Sequence, residues 1–82
     1  MAPRETFPLI NRGVVLYTRK DNNQGAIADF NAALKLNPRE TSAYINRGIV
    51  HRRMGELDKA IADFTDAIRI FPPKIDPVSV RA

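Results

Sequence analysis

Apolar residues recur along this chain at spacings of three and four, broken by polar clusters, and that period predicts four helices. In the first, Leu9, Gly13 and Leu16 form one stripe and Ile10, Val14 and Tyr17 its neighbour. Thr6 is placed to cap this helix, and Pro8 is tolerated only within its first turn. Asn22 or Asn23 caps the second helix, whose apolar side carries Ala26, Ile27, Phe30, Ala33 and Leu34. Asn37-Pro38 ends it, because a residue before proline is pushed out of the helical region. A third helix starts near Thr41 and turns at Gly55, a residue suited to a left-handed helix end. The fourth carries Ala60, Ile61, Phe64, Ala67 and Ile68 and stops at Phe71-Pro72-Pro73. Residues 74–82 include Pro77 and two β-branched valines, so no helix is extended into them.

The pattern is written twice. Ala26-Ile27-Ala28-Asp29-Phe30 returns letter for letter as Ala60-Ile61-Ala62-Asp63-Phe64, at an offset of 34 that Ala33/Ala67 and Pro38/Pro72 share. Upstream, Ile10-Asn11-Arg12-Gly13 returns as Ile45-Asn46-Arg47-Gly48 at an offset of 35. The first copy therefore holds one extra residue between Gly13 and Ala26. Lys20-Asp21-Asn22-Asn23, a turn-forming cluster, is where a loop would absorb it. Each copy is one helical hairpin.

Composition narrows the function classes. Eighty-two residues fit a single small domain, 1–82, near the lower limit of what folds alone. With no cysteine and a single histidine, His51, the chain has no disulfide framework, thiolate metal site, cysteine nucleophile or histidine cage. No glycine-rich phosphate loop is present. His51 reads more simply as a packed interhelical residue than as a catalyst, and Asp58, Asp63 and Asp66 as the polar face of a helix. No enzyme activity, cofactor or metal is expected. The longest apolar run, Val14 to Tyr17, is too short for a membrane span or a secretory leader, so a soluble, cytoplasmic protein is expected. The net charge of +4 comes from interspersed charges of both signs and serves solubility first.

The two copies resemble the tetratricopeptide repeat, a 34-residue unit patterned W-x2-L-G-x2-Y, A-x3-F, P. Gly13 and Gly48, Ala26 and Ala60, Ala33 and Ala67, Phe30 and Phe64, and Pro38 and Pro72 match its skeleton. The aromatic first slot holds Leu9 and Tyr44, the leucine slot Arg12 and Arg47, and the tyrosine slot Leu16 and His51. The resemblance implies an all-α fold of two antiparallel hairpins, residues 6–40 and 41–74, stacked as a short right-handed solenoid with an irregular tail over 75–82. It also implies that the glycines and alanines let paired helices approach, with Phe30 and Phe64 filling the space between hairpins.

The resemblance further implies a protein-interaction module. Its first helices would line a concave groove for a peptide or helix of a partner. Here Ile10, Val14, Tyr17, Ile45 and Ile49 would supply apolar contact, Asn11 and Asn46 would hold a ligand backbone, and Arg52 and Arg53 would select acidic neighbours. Apolar residues at Ile10, Val14, Ile45 and Ile49 make the family's carboxylate clamp an unsuitable reading, although Asn46 is retained. Arg12 and Arg47 either pair with Asp29 and Asp63 or project into water. Phe64, Ile68 and Phe71 have no following helix to cover them, which predicts homo-oligomerisation by stacking or hairpin exchange; closure by Ile75 to Val80, and continuation of the chain as part of a longer array, are the other outcomes. Arg12, Arg19, Lys20, Arg47, His51, Arg52 and Arg53 raise nucleic-acid binding as the rival, with few aromatic platforms to support it; Tyr44 is expected in the core.

Overall fold

The computed structural model describes residues 5–72; the segment 75–80, whose closure over the open end is the alternative to self-association, lies outside the described residues. Four helices follow in order: α1 (Phe7–Arg19), α2 (Asn23–Leu36), α3 (Thr41–Arg53) and α4 (Leu57–Ile70). α1 packs antiparallel to α2 and α3 to α4, and α3 also lies against α2 and, more lightly, α1. The result is two helical hairpins stacked side by side.

Local chemistry sets the helix ends. Asn22 Oδ1 accepts the Gly25 amide at 2.9 Å and caps α2. Thr6 does not cap α1 with its side chain; its buried hydroxyl instead donates to Glu40 Oε1 at 2.6 Å, at the foot of the next hairpin. Gly55 takes the left-handed conformation that closes α3, and Asp21 holds the same kind of conformation in the first hairpin. The Asn22 amide bonds the Leu16 carbonyl, six residues back, whereas the Glu56 amide bonds His51, five back. The extra residue of the first copy therefore sits in the closing turn of α1, where surface backbone can accept it.

The glycines face rings of their own hairpin. A methyl group at Gly13 would lie 2.6 Å from Phe30 Cε1, and one at Gly48 would lie 2.8 Å from Phe64 Cε1. This corrects the expected arrangement: each phenylalanine fills its own hairpin, and only Phe30 is then sealed by the hairpin that follows. Phe30 is fully buried, in edge contact with Tyr17 at 6.2 Å between centroids. Ile10, Tyr17, Ala26, Phe30 and Ala33 form the core cluster with Ala43 and Val50 of α3. The core thus sits at the joint between hairpins, and α3, touched by three neighbouring helices, needs apolar or small residues on more than one side. Tyr44, expected inside, is half-buried with the Arg47 guanidinium 5.5 Å over its ring.

Alanine in place of a helix-interior glycine adds about 1 kcal/mol of helix stability, while overpacking costs about 1–3 kcal/mol. Phe30 is enclosed and cannot yield, whereas Phe64 is half-buried at the open end and can swing aside. Gly13→Ala is therefore expected to destabilise by about 1–2 kcal/mol, and Gly48→Ala to be nearly neutral, as read from urea midpoints.

Candidate partner-docking site

The repeat makes one comparison decisive. Six residues of the second hairpin correspond to residues of the first hairpin that are buried in, or packed against, the core that α3 completes. Thr6 is fully buried, Ile10 is 7% exposed, Phe30 and Ala33 are fully buried, and Ile27 and Leu34 are packed against the core. Their counterparts are Thr41, Ile45, Phe64, Ala67, Ile61 and Ile68. Of these, Ile45 is 41% exposed, Ile61 62% and Ile68 56%, with Phe71 beside them at 75%. Thr41, Ile45, Phe64, Ala67, Ile68 and Phe71 line one open groove of about 460 Å³ between α3 and α4. Thr41 is its only residue with a polar side chain.

A groove with this composition suits a helix. The first hairpin shows how one sits there: α3 presents Ala43 and Val50 to the apolar floor and surrounds them with polar bonds. Glu40 accepts from Thr6, Asn46 Oδ1 accepts from the Tyr17 hydroxyl at 2.9 Å, and Arg47 Nη1 donates to Asn31 Oδ1 at 2.7 Å. The apolar contacts carry the affinity and the polar ones fix the register.

The residues expected in the concave groove separate. Ile10 and Tyr17 lie in the core, and the Asn46 side chain is engaged at both ends, with Tyr17 and with the Ser42 carbonyl. Ile45 belongs to the open-end groove with Phe64, Ile68 and Phe71. Val14 and Ile49 are half-buried against the core, Asn11 and Arg52 are exposed, and Arg53 lies 5.4 Å over the Tyr17 ring. Sequence reasoning missed Thr41 and the buried Ala67 as lining of the open groove, and Ile61 as an exposed apolar residue of α4. Their signal was present in the repeat offset, which pairs each with a residue of the first hairpin.

Electrostatics tie the hairpins shut. Arg12 forks onto Asp29 at 2.7 and 2.8 Å, and Arg47 onto Asp63 at 2.7 and 2.9 Å. Both aspartates are buried, which corrects the reading of Asp63 as part of a solvated face. Donating hydrogen bonds to the Asp63 carboxylate keeps the Arg47 guanidinium more basic than a free arginine. His51 is buried too, with Nδ1 2.9 Å from Glu56 Oε1. Of the seven candidate nucleic-acid contacts, Arg12 and Arg47 are thus neutralised by carboxylates and His51 is enclosed.

The His51 hydrogen bond, reinforced by Lys59, holds the Glu56 carboxyl below the ordinary carboxylate range. A carboxylate with a depressed folded pKa contributes stability that is present above its unfolded pKa and disappears as pH falls through the folded one. The thermal midpoint is expected to decline on acidification below the ordinary glutamate range. Glu56→Gln should flatten that part of the curve; an unchanged acid limb would show that this pair does not contribute.

Among the described residues, no helix is long and apolar enough to cross a membrane, and no group of three or more potential metal ligands occurs. Residues 9–40 and 41–73 each match a family pattern described as tetratricopeptide repeat. The chain is 37% identical over 71 residues to tetratricopeptide repeat protein 6 of Homo sapiens, covering 85% of this chain and 13% of that protein. It is 31% identical over 71 residues to a TPR repeat-containing protein of Methanocaldococcus jannaschii, covering 87% and 12%. It is 29% identical over 70 residues to UDP-N-acetylglucosamine--peptide N-acetylglucosaminyltransferase of Giardia intestinalis, covering 85% and 5%. The chain therefore spans 13% or less of the length of each of these three relatives.

Proposed function

Because the chain belongs to the tetratricopeptide repeat family, whose helical repeats serve as protein–protein interaction modules, we propose that it acts without catalysis by receiving a helix of a protein partner on the open end of its second hairpin. One observation carries the reading: the same face of the first hairpin is filled, in this molecule, by α3. Ile45, Phe64, Ala67, Ile68 and Phe71 supply the apolar floor, Thr41 marks its edge, and Ile61 is a further exposed apolar residue of α4. The repeat fold is typically non-enzymatic, and the similarity to a glycosyltransferase covers only 5% of that protein, within the repeats. No transferase role follows from it.

The reading also includes self-association, since a second copy is one source of such a helix. The concave side, through Asn11, Val14, Ile49, Arg52 and Arg53, adds a narrower and more cationic surface on which an extended acidic peptide could lie. Salt separates this class of function from nucleic-acid binding: apolar helix docking should survive added salt that strips phosphate contacts.

The test uses a synthetic peptide with the sequence of residues 40–54, the segment that already fits the equivalent face. Titrated into the labelled protein, it is expected to shift the amides around Ile45, Phe64 and Ile68 and to leave those of α1 largely unmoved. No shift at millimolar peptide, or shifts spread along the concave side instead, would overturn the open-end reading.

A further inference from the structure

The helix that already docks in this molecule has a repeat counterpart in the same chain that keeps several of its docking residues, and those residues are uncovered among the described residues. Aligned at the repeat offset, Glu5, Thr6, Ile10, Asn11, Arg12, Gly13 and Val15 of the first hairpin match Glu40, Thr41, Ile45, Asn46, Arg47, Gly48 and Val50 of the second. The members that α3 uses to grip the first hairpin are Glu40, Asn46, Arg47 and Val50, and all four have an identical counterpart in or just before α1. In α3 they are covered: Val50 is fully buried and the Arg47 side chain 22% exposed. In the first hairpin they face solvent: Val15 is 42% exposed, the Arg12 side chain 66%, and Glu5 and Asn11 are exposed.

We propose that α1 of a second copy occupies the open groove between α3 and α4, so that copies stack head to tail and continue the joint seen between the two hairpins. The inference rests on the open-end reading above and names the occupant. Val15 of the incoming copy takes the place of Val50, over the floor of Phe64, Ala67 and Ile68. Three polar contacts of the internal joint find counterparts; the stacking of Arg53 over Tyr17 has none, since Thr18 and Arg52 stand at those positions. Glu5 meets Thr41 as Glu40 meets Thr6. The second amino group of Arg12 meets Thr65 as Arg47 meets Asn31. Asn11 meets Arg52 where Asn46 meets Tyr17, and in both the asparagine oxygen faces a donor. Further along, α1 departs from α3 with Leu9 for Tyr44, Val14 for Ile49, Leu16 for His51, Tyr17 for Arg52 and Thr18 for Arg53; at the start of the helix two positions differ, Pro8 for Ala43 and Phe7 for Ser42. Both lie in the first turn of α1, where proline is compatible with a helix, and both add apolar surface.

The contact is heterologous: the surface used on one copy is not the one used on the other. Such an interface grows as an open chain unless its rotation closes a ring. That asymmetry supplies the test. Val15→Glu removes the plug and leaves the socket, and Ile68→Glu does the reverse; both residues are exposed helix positions, so each variant is expected to keep its helical circular dichroism. By sedimentation equilibrium, the average mass of the unmodified chain should climb with concentration, whereas each variant should need at least about tenfold more protein to associate. An equimolar mixture of the two variants holds one intact plug and one intact socket, and should form a species of twice the 9.2 kDa chain mass that grows no further.

A mixture that stays monomeric would overturn the proposal, as would a Val15→Glu variant that assembles like the unmodified chain. An unmodified chain that remains at 9.2 kDa throughout would do so as well. If the residue 40–54 peptide still binds in any of these cases, the open end remains a docking surface and only α1 is excluded as its occupant. Ile61→Lys replaces Ile68→Glu should the latter lose helix content.

Discussion

Phe30→Ala should be close to the limit this domain can bear. The ring is fully buried, lies against Gly13 and Tyr17, and is sealed by α3, so its removal opens a cavity at the joint between hairpins. Truncating a buried phenylalanine costs about 3–5 kcal/mol. Domains of this size have total stabilities of only about 5–15 kcal/mol, and a chain this short belongs near the lower end. The variant is expected to be largely unfolded at 37 °C, or to melt tens of degrees lower by circular dichroism. Phe64→Ala removes the same ring from the same repeat position, yet that ring is half-buried and uncovered on one side. A loss of about 1–2 kcal/mol is expected there, because the unfilled space adjoins solvent and the transferred area is smaller. Equal losses at the two sites would mean that something in solution covers the second ring as α3 covers the first.

The arginine–aspartate pairs should rank the other way. Asp63→Ala leaves Arg47 unpaired where its side chain is only 22% exposed, wedged between its own hairpin and Asn31 of the preceding one. Breaking a buried pair from one side costs about 3–5 kcal/mol, and the residual exposure of Arg47 brings the expectation to about 2–3 kcal/mol. Asp29→Ala frees Arg12, whose side chain is 66% exposed and rehydrates where it stands, for about 1 kcal/mol or less. Urea denaturation of the two variants at neutral pH measures the difference directly. The opposite order of the two contrasts has one cause. α2 of the first hairpin receives the joint and α3 of the second enters it, so ring burial is greatest in one copy and guanidinium burial in the other.

The fold was readable because its strongest signals are local and doubled. Helical spacing, Asn22 as a cap, Pro38 as a stop and Gly55 at a left-handed turn each act within a few residues, and the returning Ala-Ile-Ala-Asp-Phe segment fixes the unit length. What could not be read locally was coverage. Ile10 and Ile45 sit in the same four-letter segment, yet one is enclosed and the other is 41% exposed, because only a neighbouring hairpin decides between them. Any rule that assigns both to one groove from their shared pattern must fail for one of them. Thr6 was read as a cap for the same reason: threonine before a helix satisfies a local rule, while the bond its hydroxyl makes is to Glu40, 34 residues away. Asp63 was read as solvated because its helix has a polar side. The signal that it is buried lay in the paired recurrence of Arg12 with Asp29 and Arg47 with Asp63, a coupling visible only across the repeat.

The central claim is that the α3–α4 face, uncovered among the described residues, copies a face that is covered elsewhere in the same chain. Native-state amide exchange, followed residue by residue over a range of protein concentrations, tests it most directly. In dilute solution the amides of α4 around Phe64 and Ile68 should exchange markedly faster than those of α2 around Phe30 and Leu34, although the two helices have equal length and share the Ala-Ile-Ala-Asp-Phe segment. As concentration rises, α4 and the exposed side of α1 should gain protection together. Equal protection of α2 and α4 in dilute solution, unchanged on concentration, would contradict the account, because the second face would then already be covered without a partner.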